Sequence, residues 1–446
     1  MSNIQKEISQ LEHWLTNLSD SDESHPSSHR TTSYKLLPWA VWFLAALFYM
    51  YENVLQVSPG VMVPDLMQAY AINSAALGGL IAFFFYSYAG MQIPVGVLVD
   101  NYDARFLLTG ATLSCVIGCI LFGTSDSIVI AAVGRMLIGF GSAFAAVCAM
   151  KLASNWFPIK KFSLLVGLMV TMGMLGSMIG EKPLALLVED IGWRNSLLAL
   201  AGIGIVLAFL IALIVRHAPD SSQVSLSVQK ESGQKKILHG LLQVIKSRQS
   251  WIIAAYGGLM FATTSIFGGL WGVPFLMKAY ALDRPEAAGI VSIMFFGWVI
   301  GAPLSGILVQ WVHSHKKVLW LSSVGALTVI LTVLYVLHLP IFWLSVLIFG
   351  FGLFSSFFLP SFSLIHDLHL NGNSGAALGF MNTANMVGGA VGQPLIGMLL
   401  DMGWDGSMMN QVRVYSIENY QHSLSCLPII IACSLLLIPF IHEKTK

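Results

Sequence analysis

The chain has 446 residues with a formal net charge of +1 at pH 7, and 56% of its residues are hydrophobic while only 10% are charged. Because soluble domains carry about 25% charged residues, this composition excludes an ordinary water-soluble protein and predicts a protein that lipid surrounds. We expect no nucleic-acid partner for such a chain.

The N-terminal segment, residues 1–35, is polar and predicts a cytoplasmic tail. Apolar residues recur in it at spacings of four and three, which is typical of an amphipathic helix. They are Ile4, Ile8, Leu11, Leu15 and Leu18. The stripe forms either a marginal helix on a flexible tail or a helix that docks or self-associates. Since the first apolar run begins only after this tail, we expect no cleavable signal peptide.

Twelve apolar runs follow, each close to the roughly 20 residues that a membrane-spanning helix needs. They lie near residues 36–57, 75–98, 106–124, 127–152, 163–187, 194–215, 251–276, 287–311, 318–338, 341–365, 376–400 and 423–441. The sequence therefore predicts an all-α membrane protein with twelve transmembrane helices. A polar linker at 216–250 separates an N-terminal six-helix bundle, 36–215, from a C-terminal one, 251–441, and residues 442–446 form a second cytoplasmic tail.

Two pairs of similar segments indicate that one bundle is a duplicate of the other. Gly96–Asp100 (GVLVD) is followed 210 residues later by Gly306–Gln310 (GILVQ). Asp190–Arg194 (DIGWR) is followed 211 residues later by Asp401–Asp405 (DMGWD). Tandem homologous bundles are typical of secondary transporters.

The distribution of basic residues predicts the orientation, because Lys and Arg are retained on the cytoplasmic side of a membrane. With the N-terminus inside, the cytoplasmic segments contain 16 Lys and Arg residues and the opposite side contains 4. We therefore expect both termini in the cytoplasm.

Four charged residues fall well inside the predicted spans, where an unpaired charge costs several kcal/mol. Glu52, Arg135, Glu181 and Lys182 lie on the first, fourth and fifth runs, all in the outer half of the membrane. Such a set can neutralise itself, or it can take up a proton when one partner moves away. The alternative is a static buried pair of Glu52 and Arg135 that holds two helices together.

Neutral polar residues on the same helices predict a water-lined pathway. On the first run Tyr49, Asn53 and Gln56 lie on one helix face, at spacings of four and three. On the second run Tyr88 and Gln92 share a face at a spacing of four. The second bundle has no charge deep in its spans, but it offers Trp271, Trp298, Asn382 and Asn385. We expect these residues, together with Arg135 and Lys182, to bind the substrate. Nothing in the sequence calls for a metal or an organic cofactor.

Three motifs resemble those of the major facilitator superfamily, and the resemblance covers residues 36–441. Gly96, Asp100 and Arg105 match the loop signature Gly-x-x-x-Asp-Arg-x-Gly-x-Arg, in which Asn101 and Asp103 replace the expected Arg and Gly. The resemblance implies that the three matching residues form a conformational latch. In this role Asp100 would cap a helix N-terminus of the other bundle.

The segment Arg135–Gly141 matches the fourth-helix signature Arg-x-x-x-Gly-x-Gly, whose arginine the family uses in proton coupling. On the fifth run three glycines keep the spacing of the antiporter signature: Gly167, Gly176 and Gly180. Glu181 stands where that signature has proline, which argues against a drug-efflux antiporter.

Within the superfamily, the segments Phe48–Glu52, Met91–Gly96 and Gly180–Leu184 resemble the bacterial phagosomal-transporter branch, which takes up amino acids and nucleosides. Lysosomal dipeptide carriers are more distantly similar. The resemblance implies a monomer in the bacterial inner membrane.

The sequence favours a proton-coupled importer of a small polar or zwitterionic nutrient, with Glu52, Arg135 and Glu181 as coupling residues. An exporter of a metabolite, siderophore or drug is the alternative. No catalytic motif and no phosphate-binding loop is present, so we do not expect an enzyme.

Overall fold

The computed structural model describes residues 36–216, 233–369, 374–409 and 412–443, and all structural statements below concern these residues. The amphipathic stripe of the N-terminal tail lies outside them. We call residues 36–216 the N-terminal half and residues 233–443 the C-terminal half.

Helices make up almost the whole of the N-terminal half. They are α1 (Leu37–Val57), a 3-10 turn (Ser58–Met62), α2 (Val63–Tyr70), α3 (Ser74–Asn101), α4 (Ala104–Thr124), α5 (Ile128–Trp156), α6 (Ile159–Ile179) and α7 (Lys182–Ile214). This half contains no strand among its described residues.

The C-terminal half is also helical, with one short hairpin near its end. Its helices are α8 (Gly233–Lys246), α9 (Arg248–Ile266), a π turn (Phe267–Trp271), α10 (Gly272–Tyr280), α11 (Arg284–Val312), α12 (His315–Tyr335), α13 (Ile341–Ser356), α14 (Pro360–Leu368), α15 (Ser374–Met402), α16 (Ile417–Leu424), α17 (Cys426–Leu437) and a 3-10 turn (Ile438–Phe440). The antiparallel hairpin pairs β1 (Met408–Met409) with β2 (Val412–Arg413).

Ten segments of the described chain are long and apolar enough to cross a membrane. The longest, Lys160–Ile214, has 55 residues, and it contains α6 and α7. Helix α15, with 29 residues, is not among the ten. The chain is therefore an all-helical, multi-pass membrane protein, as its composition predicts.

The long segment is interrupted twice. Glu181 has φ −98° and ψ −104°, which ends the regular helix between α6 and α7. Gly192 has φ +81°, a conformation that residues with a Cβ rarely adopt, so glycine is required at this bend of the repeated Asp-x-Gly-Trp motif.

Glycines of the Arg135–Gly141 motif allow three helices of the N-terminal half to pack closely. A Cβ on Gly139 would lie 2.1 Å from the carbonyl oxygen of Phe84 on α3. A Cβ on Gly141 would lie 2.3 Å from the carbonyl oxygen of Ala111 on α4. Both distances are far below van der Waals contact, so the Gly-x-Gly spacing sets how α5 packs on its neighbours.

The two halves also contact each other directly. Helix α3 runs along α15, and α6 and α7 pack against α11. Residues of α1, α3, α6, α9 and α11 line one space between the halves.

Candidate substrate cavity between the two halves

A cavity of about 420 Å³, including the part open to solvent, lies between the halves. Its lining comes from α1, α3 and α6 on one side and from α9, the π turn and α11 on the other. The lining residues are Asn53, Gln56, Val57, Phe85, Met174, Ser177, Phe261, Thr264, Ser265, Gly269, Phe295 and Trp298. The enclosed part is only about 40 Å³, room for a few water molecules, so a substrate requires the helices to move further apart than in this conformation.

Three predicted binding residues reach this cavity, namely Asn53, Gln56 and Trp298. Sequence reasoning missed the contribution of α6, where Met174 and Ser177 line the cavity. Their spacing of three residues, on the helix that ends just before the buried Glu181, is the signal that could have pointed to them.

Several polar atoms in the cavity wall are free to bind a ligand. Thr264 Oγ1, Ser265 Oγ and Trp298 Nε1 are buried and have no hydrogen-bond partner within the described part of the chain. Because buried polar groups are usually paired, a cluster of unpaired ones indicates a site that a ligand or water completes.

Glu52 lies directly behind the cavity wall, with only 2% of its surface exposed. Asn53 Nδ2 donates hydrogen bonds to Glu52 Oε1 at 3.0 Å and to the Tyr49 carbonyl at 2.8 Å. Glu52 Oε2 has no partner among the residues described. The carboxyl group is thus linked to a cavity residue by one hydrogen bond and has a free oxygen.

Arg135 is completely buried but does not line the cavity. Its Nη1 donates to the Leu55 carbonyl at 3.0 Å, and its guanidinium carbon lies 5.1 Å from the centroid of the Phe84 ring. Its Nε and Nη2 have no partner in the described structure. No ion pair joins Arg135 to Glu52 there, so the static pair that the sequence allowed is not present.

The two charges at the start of α7 have opposite surroundings. Glu181 is completely buried, and neither carboxyl oxygen has a hydrogen-bond partner in the described ranges. Lys182 is exposed, and its side chain lies beside Gly289 of the C-terminal half. The break in the helix at Glu181 points the two neighbouring side chains in different directions, and Lys182 is not part of the cavity wall.

A second cluster of polar side chains links the halves outside the cavity wall. Asn382 Nδ2 donates to Gln92 Oε1 at 3.0 Å, and the Tyr88 hydroxyl lies close to both amides. Gln92 Nε2 and Asn385 Oδ1 are buried without a partner within the described residues. The structure therefore brings Tyr88, Gln92 and Asn382 together as a contact between α3 and α15, while Asn385 lies near Gly257 of α9, and none of the four lines the cavity.

Trp271 makes a packing contact and does not line the cavity. It is completely buried in the π turn, and its Nε1 donates to the Gln393 carbonyl at 3.1 Å. This hydrogen bond ties the π turn to α15 and satisfies the indole N–H in this conformation; the binding role of Trp271 stays a prediction.

The predicted latch lies at the C-terminal end of α3. Asp100 accepts a hydrogen bond from Lys151 Nζ of its own half at 3.0 Å, and Arg105 lies against the Phe106 ring. A Cβ on Gly96 would meet no described neighbour. Asp103, which departs from the family signature, accepts from the Arg105 backbone N–H at 2.9 Å and caps α4. The cross-bundle role of Asp100 stays a prediction.

The chain belongs to the Major Facilitator Superfamily, whose family model matches residues 41–393. It is therefore a membrane transporter and not an enzyme, as the motifs indicate.

Among characterised relatives, the probable sulfoacetate transporter SauU of Cupriavidus necator is 24% identical, over 80% of this chain and 85% of that protein. The lysosomal dipeptide transporter MFSD1 of Homo sapiens is 23% identical, over 79% of this chain and 77% of that protein.

Solved structures show the same fold at lower sequence identity. A bacterial homologue of the human lysosomal transporter Spinster, in an inward-facing and unoccupied conformation, has a TM-score of 0.73 at 14% identity, covering 92% of this chain and 97% of its own. The nucleoside transporter NupG has a TM-score of 0.71 at 12% identity, covering 91% of this chain and 100% of its own.

Proposed function

We propose that this chain is a secondary active transporter that imports a small polar or zwitterionic nutrient together with protons by alternating access. The observation that carries the proposal is a cavity between the halves that adjoins a buried carboxyl group without a cation partner. Amino acids and short peptides are the first candidate substrates, and nucleosides are the next.

Glu52 is the proposed coupling residue. A carboxylate buried in the membrane without a cation is costly, whereas a neutral carboxyl group is tolerated. Asn53 lines the cavity and donates a hydrogen bond to Glu52, so a change in the protonation of Glu52 is felt by a residue that faces the substrate. Substrate and proton can therefore be bound and released together. Arg135 and Glu181 are the other proposed members of the relay, because both are fully buried with unpaired polar atoms.

The cavity wall favours a small substrate that carries hydrogen-bonding groups on a compact body. Its described residues include five neutral polar side chains and no charged one: Asn53, Gln56, Ser177, Thr264 and Ser265. Phe85, Phe261, Phe295 and Trp298 provide apolar and aromatic surface. Similarity to a dipeptide transporter supports the peptide assignment.

A small organic anion is the second candidate substrate. Two relatives carry names of anion transporters, the probable sulfoacetate transporter and a probable L-galactonate transporter of Escherichia coli. Arg135 and Lys182 would then have to approach the cavity when the helices rearrange.

We further propose twelve transmembrane helices in two homologous bundles, with boundaries at residues 36–215 and 251–441. At 1.5 Å per residue, Lys160–Ile214 is about 80 Å long, enough for two crossings of a hydrocarbon core about 30 Å thick. Helix α15 supplies the remaining crossing, since it packs along both α3 and α9. The protein would be a monomer in the bacterial inner membrane.

Reporter fusions test the orientation that the basic residues predict. Fusions in the 216–250 linker and after Lys446 are expected to give a cytoplasmic signal, and fusions near Ser125 and Asp405 an external one. An external signal from the linker would contradict the two-bundle arrangement.

A binding screen followed by a flux assay tests the function itself. A ligand that binds only the folded protein raises its melting temperature, so amino acids, dipeptides, nucleosides and small organic anions can be compared directly. The best ligand is then supplied to proteoliposomes. An importer is expected to accumulate it when the external side is more acidic. Binding of a large hydrophobic cation alone, with efflux against a proton gradient, would favour the exporter.

A further inference from the structure

The two halves are joined at one end of the molecule by a carboxylate at the end of α15. Asp401 Oδ2 accepts a hydrogen bond from the backbone N–H of Ala75 at 2.8 Å. Ala75 lies in the first turn of α3, where backbone N–H groups have no partner within the helix. A carboxylate at this position also interacts favourably with the positive end of the helix dipole.

Two further side chains fix the position of this carboxylate. Arg413 Nη1 lies 3.0 Å from Asp401 Oδ1, and the Tyr415 hydroxyl donates to the same oxygen at 2.6 Å. Tyr415 also accepts the backbone N–H of Ser74 at 3.4 Å. Burial raises the pKa of Tyr415 to about 12, so its hydroxyl remains a donor at neutral pH. We call Asp401, Arg413 and Tyr415 the outer latch.

A separate ion pair joins the halves at the same end. Arg284 Nη2, at the start of α11, lies 2.8 Å from Asp65 Oδ2 on α2, and both side chains are largely buried. Partial burial strengthens the attraction between such charges because solvent screens them less.

Backbone approaches confirm that this end is closed. A Cβ on Gly78 of α3 would lie 2.6 Å from the Gln393 carbonyl oxygen on α15, and one on Gly397 would lie 2.2 Å from that of Ser74. At the other end of the same helices, a Cβ on Gly96 or Gly379 would meet nothing within 4 Å among the described atoms.

The first copy of the repeated motif does not reach across the halves. Asp190, the counterpart of Asp401, is exposed. Arg194 stacks 4.4 Å from the Trp193 ring, just as Arg413 stacks 4.3 Å from Trp404, but Arg194 pairs with Asp126 of its own half. Of the two copies, only the second places its aspartate on a helix of the other half.

We infer that Asp401, held by Arg413 and Tyr415, keeps the outer end closed by capping α3 of the opposite half. This inference rests on the proposed alternating access, because the cap exists only while α3 and α15 meet at this end. An interaction made in one of two states shifts the equilibrium towards that state. Loss of the cap therefore favours opening to the outside.

Cysteine labelling from outside tests the latch. Ser265→Cys places a thiol in the cavity wall, and a membrane-impermeant maleimide reports when the outer end opens. Asp401→Asn is expected to raise the labelling rate roughly tenfold, the factor for one charge-assisted hydrogen bond lost from one state. Asp190→Asn is the matched control and should leave the rate unchanged.

Tyr415→Phe serves as a milder second variant, since it removes one hydroxyl that holds the carboxylate. It should raise the labelling rate by a smaller factor, and unaltered size-exclusion behaviour would show that each variant is folded. Equal rates in Asp401→Asn, Tyr415→Phe and the parent protein would overturn the latch.

The assay uses no substrate and no proton gradient, so an error in either assignment leaves its result intact. A cavity that the external reagent reaches in neither the variants nor the parent would overturn alternating access as well. A cavity that the reagent labels at the same measurable rate in the parent and in Asp401→Asn would overturn the latch alone.

Discussion

Replacing Glu52 by glutamine is expected to abolish accumulation driven by a pH gradient while leaving substrate exchange between equal pools largely intact. Glutamine has the shape of glutamic acid and keeps the oxygen that accepts the Asn53 hydrogen bond, but it cannot bind and release a proton. In proteoliposomes under an inward proton gradient, the internal substrate concentration should rise only to the external concentration. Counterflow should continue near the parental rate.

The comparison variant is Glu181→Gln, which neutralises the other fully buried carboxyl group of the N-terminal half and the second carboxyl group of the proposed relay. If Glu52 is the residue that binds and releases the coupled proton, Glu181→Gln slows transport but retains uphill accumulation. Accumulation that survives Glu52→Gln and fails in Glu181→Gln would move the coupling role to the break between α6 and α7. Loss of both accumulation and counterflow in Glu52→Gln would indicate a structural defect instead.

The fold class could be predicted because membrane insertion leaves a strong record in the sequence. Long apolar runs are required wherever a helix crosses lipid, and they can be counted without a structure. The Arg135–Gly141 motif could be recognised from its spacing, but the sequence analysis did not predict what its glycines do. The close approach of Gly139 to α3 and of Gly141 to α4 is a finding of the structure.

The position of Arg135 could not be predicted, because depth along a helix does not give the direction of a side chain. Counting residues places Arg135 and Glu52 at similar depths, but the rotation of α5 directs the guanidinium group to the Leu55 carbonyl and the Phe84 ring. A backbone carbonyl and an aromatic face can contact an arginine in place of a carboxylate, although here they leave Nε and Nη2 without a partner among the described residues, and the sequence does not show which partner is nearer.

Local departures from the regular helix account for the other differences. The irregular backbone at Glu181 separates this residue from its neighbour Lys182, and the π turn at Phe267–Trp271 directs the indole of Trp271 towards α15. Neither departure changes the 3.6-residue pattern of the sequence enough to be detected. Asn53 and Gln56 do lie at the cavity, since α1 is regular around them, and their role in binding a substrate stays a prediction.

The outer latch could not be predicted from the sequence for a different reason. The Asp-x-Gly-Trp repeat was visible, but repetition predicts equal roles for Asp190 and Asp401. The difference arises from the segment that follows, in which the β1–β2 hairpin carries Arg413 and leads to Tyr415, both next to Asp401. A contact between the ends of two helices, made by residues 326 apart in sequence, leaves no periodic signal.

Replacing Gly352 by alanine is expected to destabilise the folded protein, whereas the same change at Gly350 should not. Both glycines lie on α13, but a Cβ on Gly352 would lie 1.9 Å from the Met294 carbonyl oxygen of α11, while one on Gly350 would meet only Val329 Cγ2 at 3.7 Å. Overpacking against a backbone atom costs about 1–3 kcal/mol, and removing a glycine from a helix interior gains up to about 1 kcal/mol. The apparent melting temperature of purified Gly352→Ala should therefore fall by several degrees, and that of Gly350→Ala should stay level or rise. Equal melting temperatures for the two variants would show that α11 and α13 separate without cost, and close helix contact would then not be what stabilises this half.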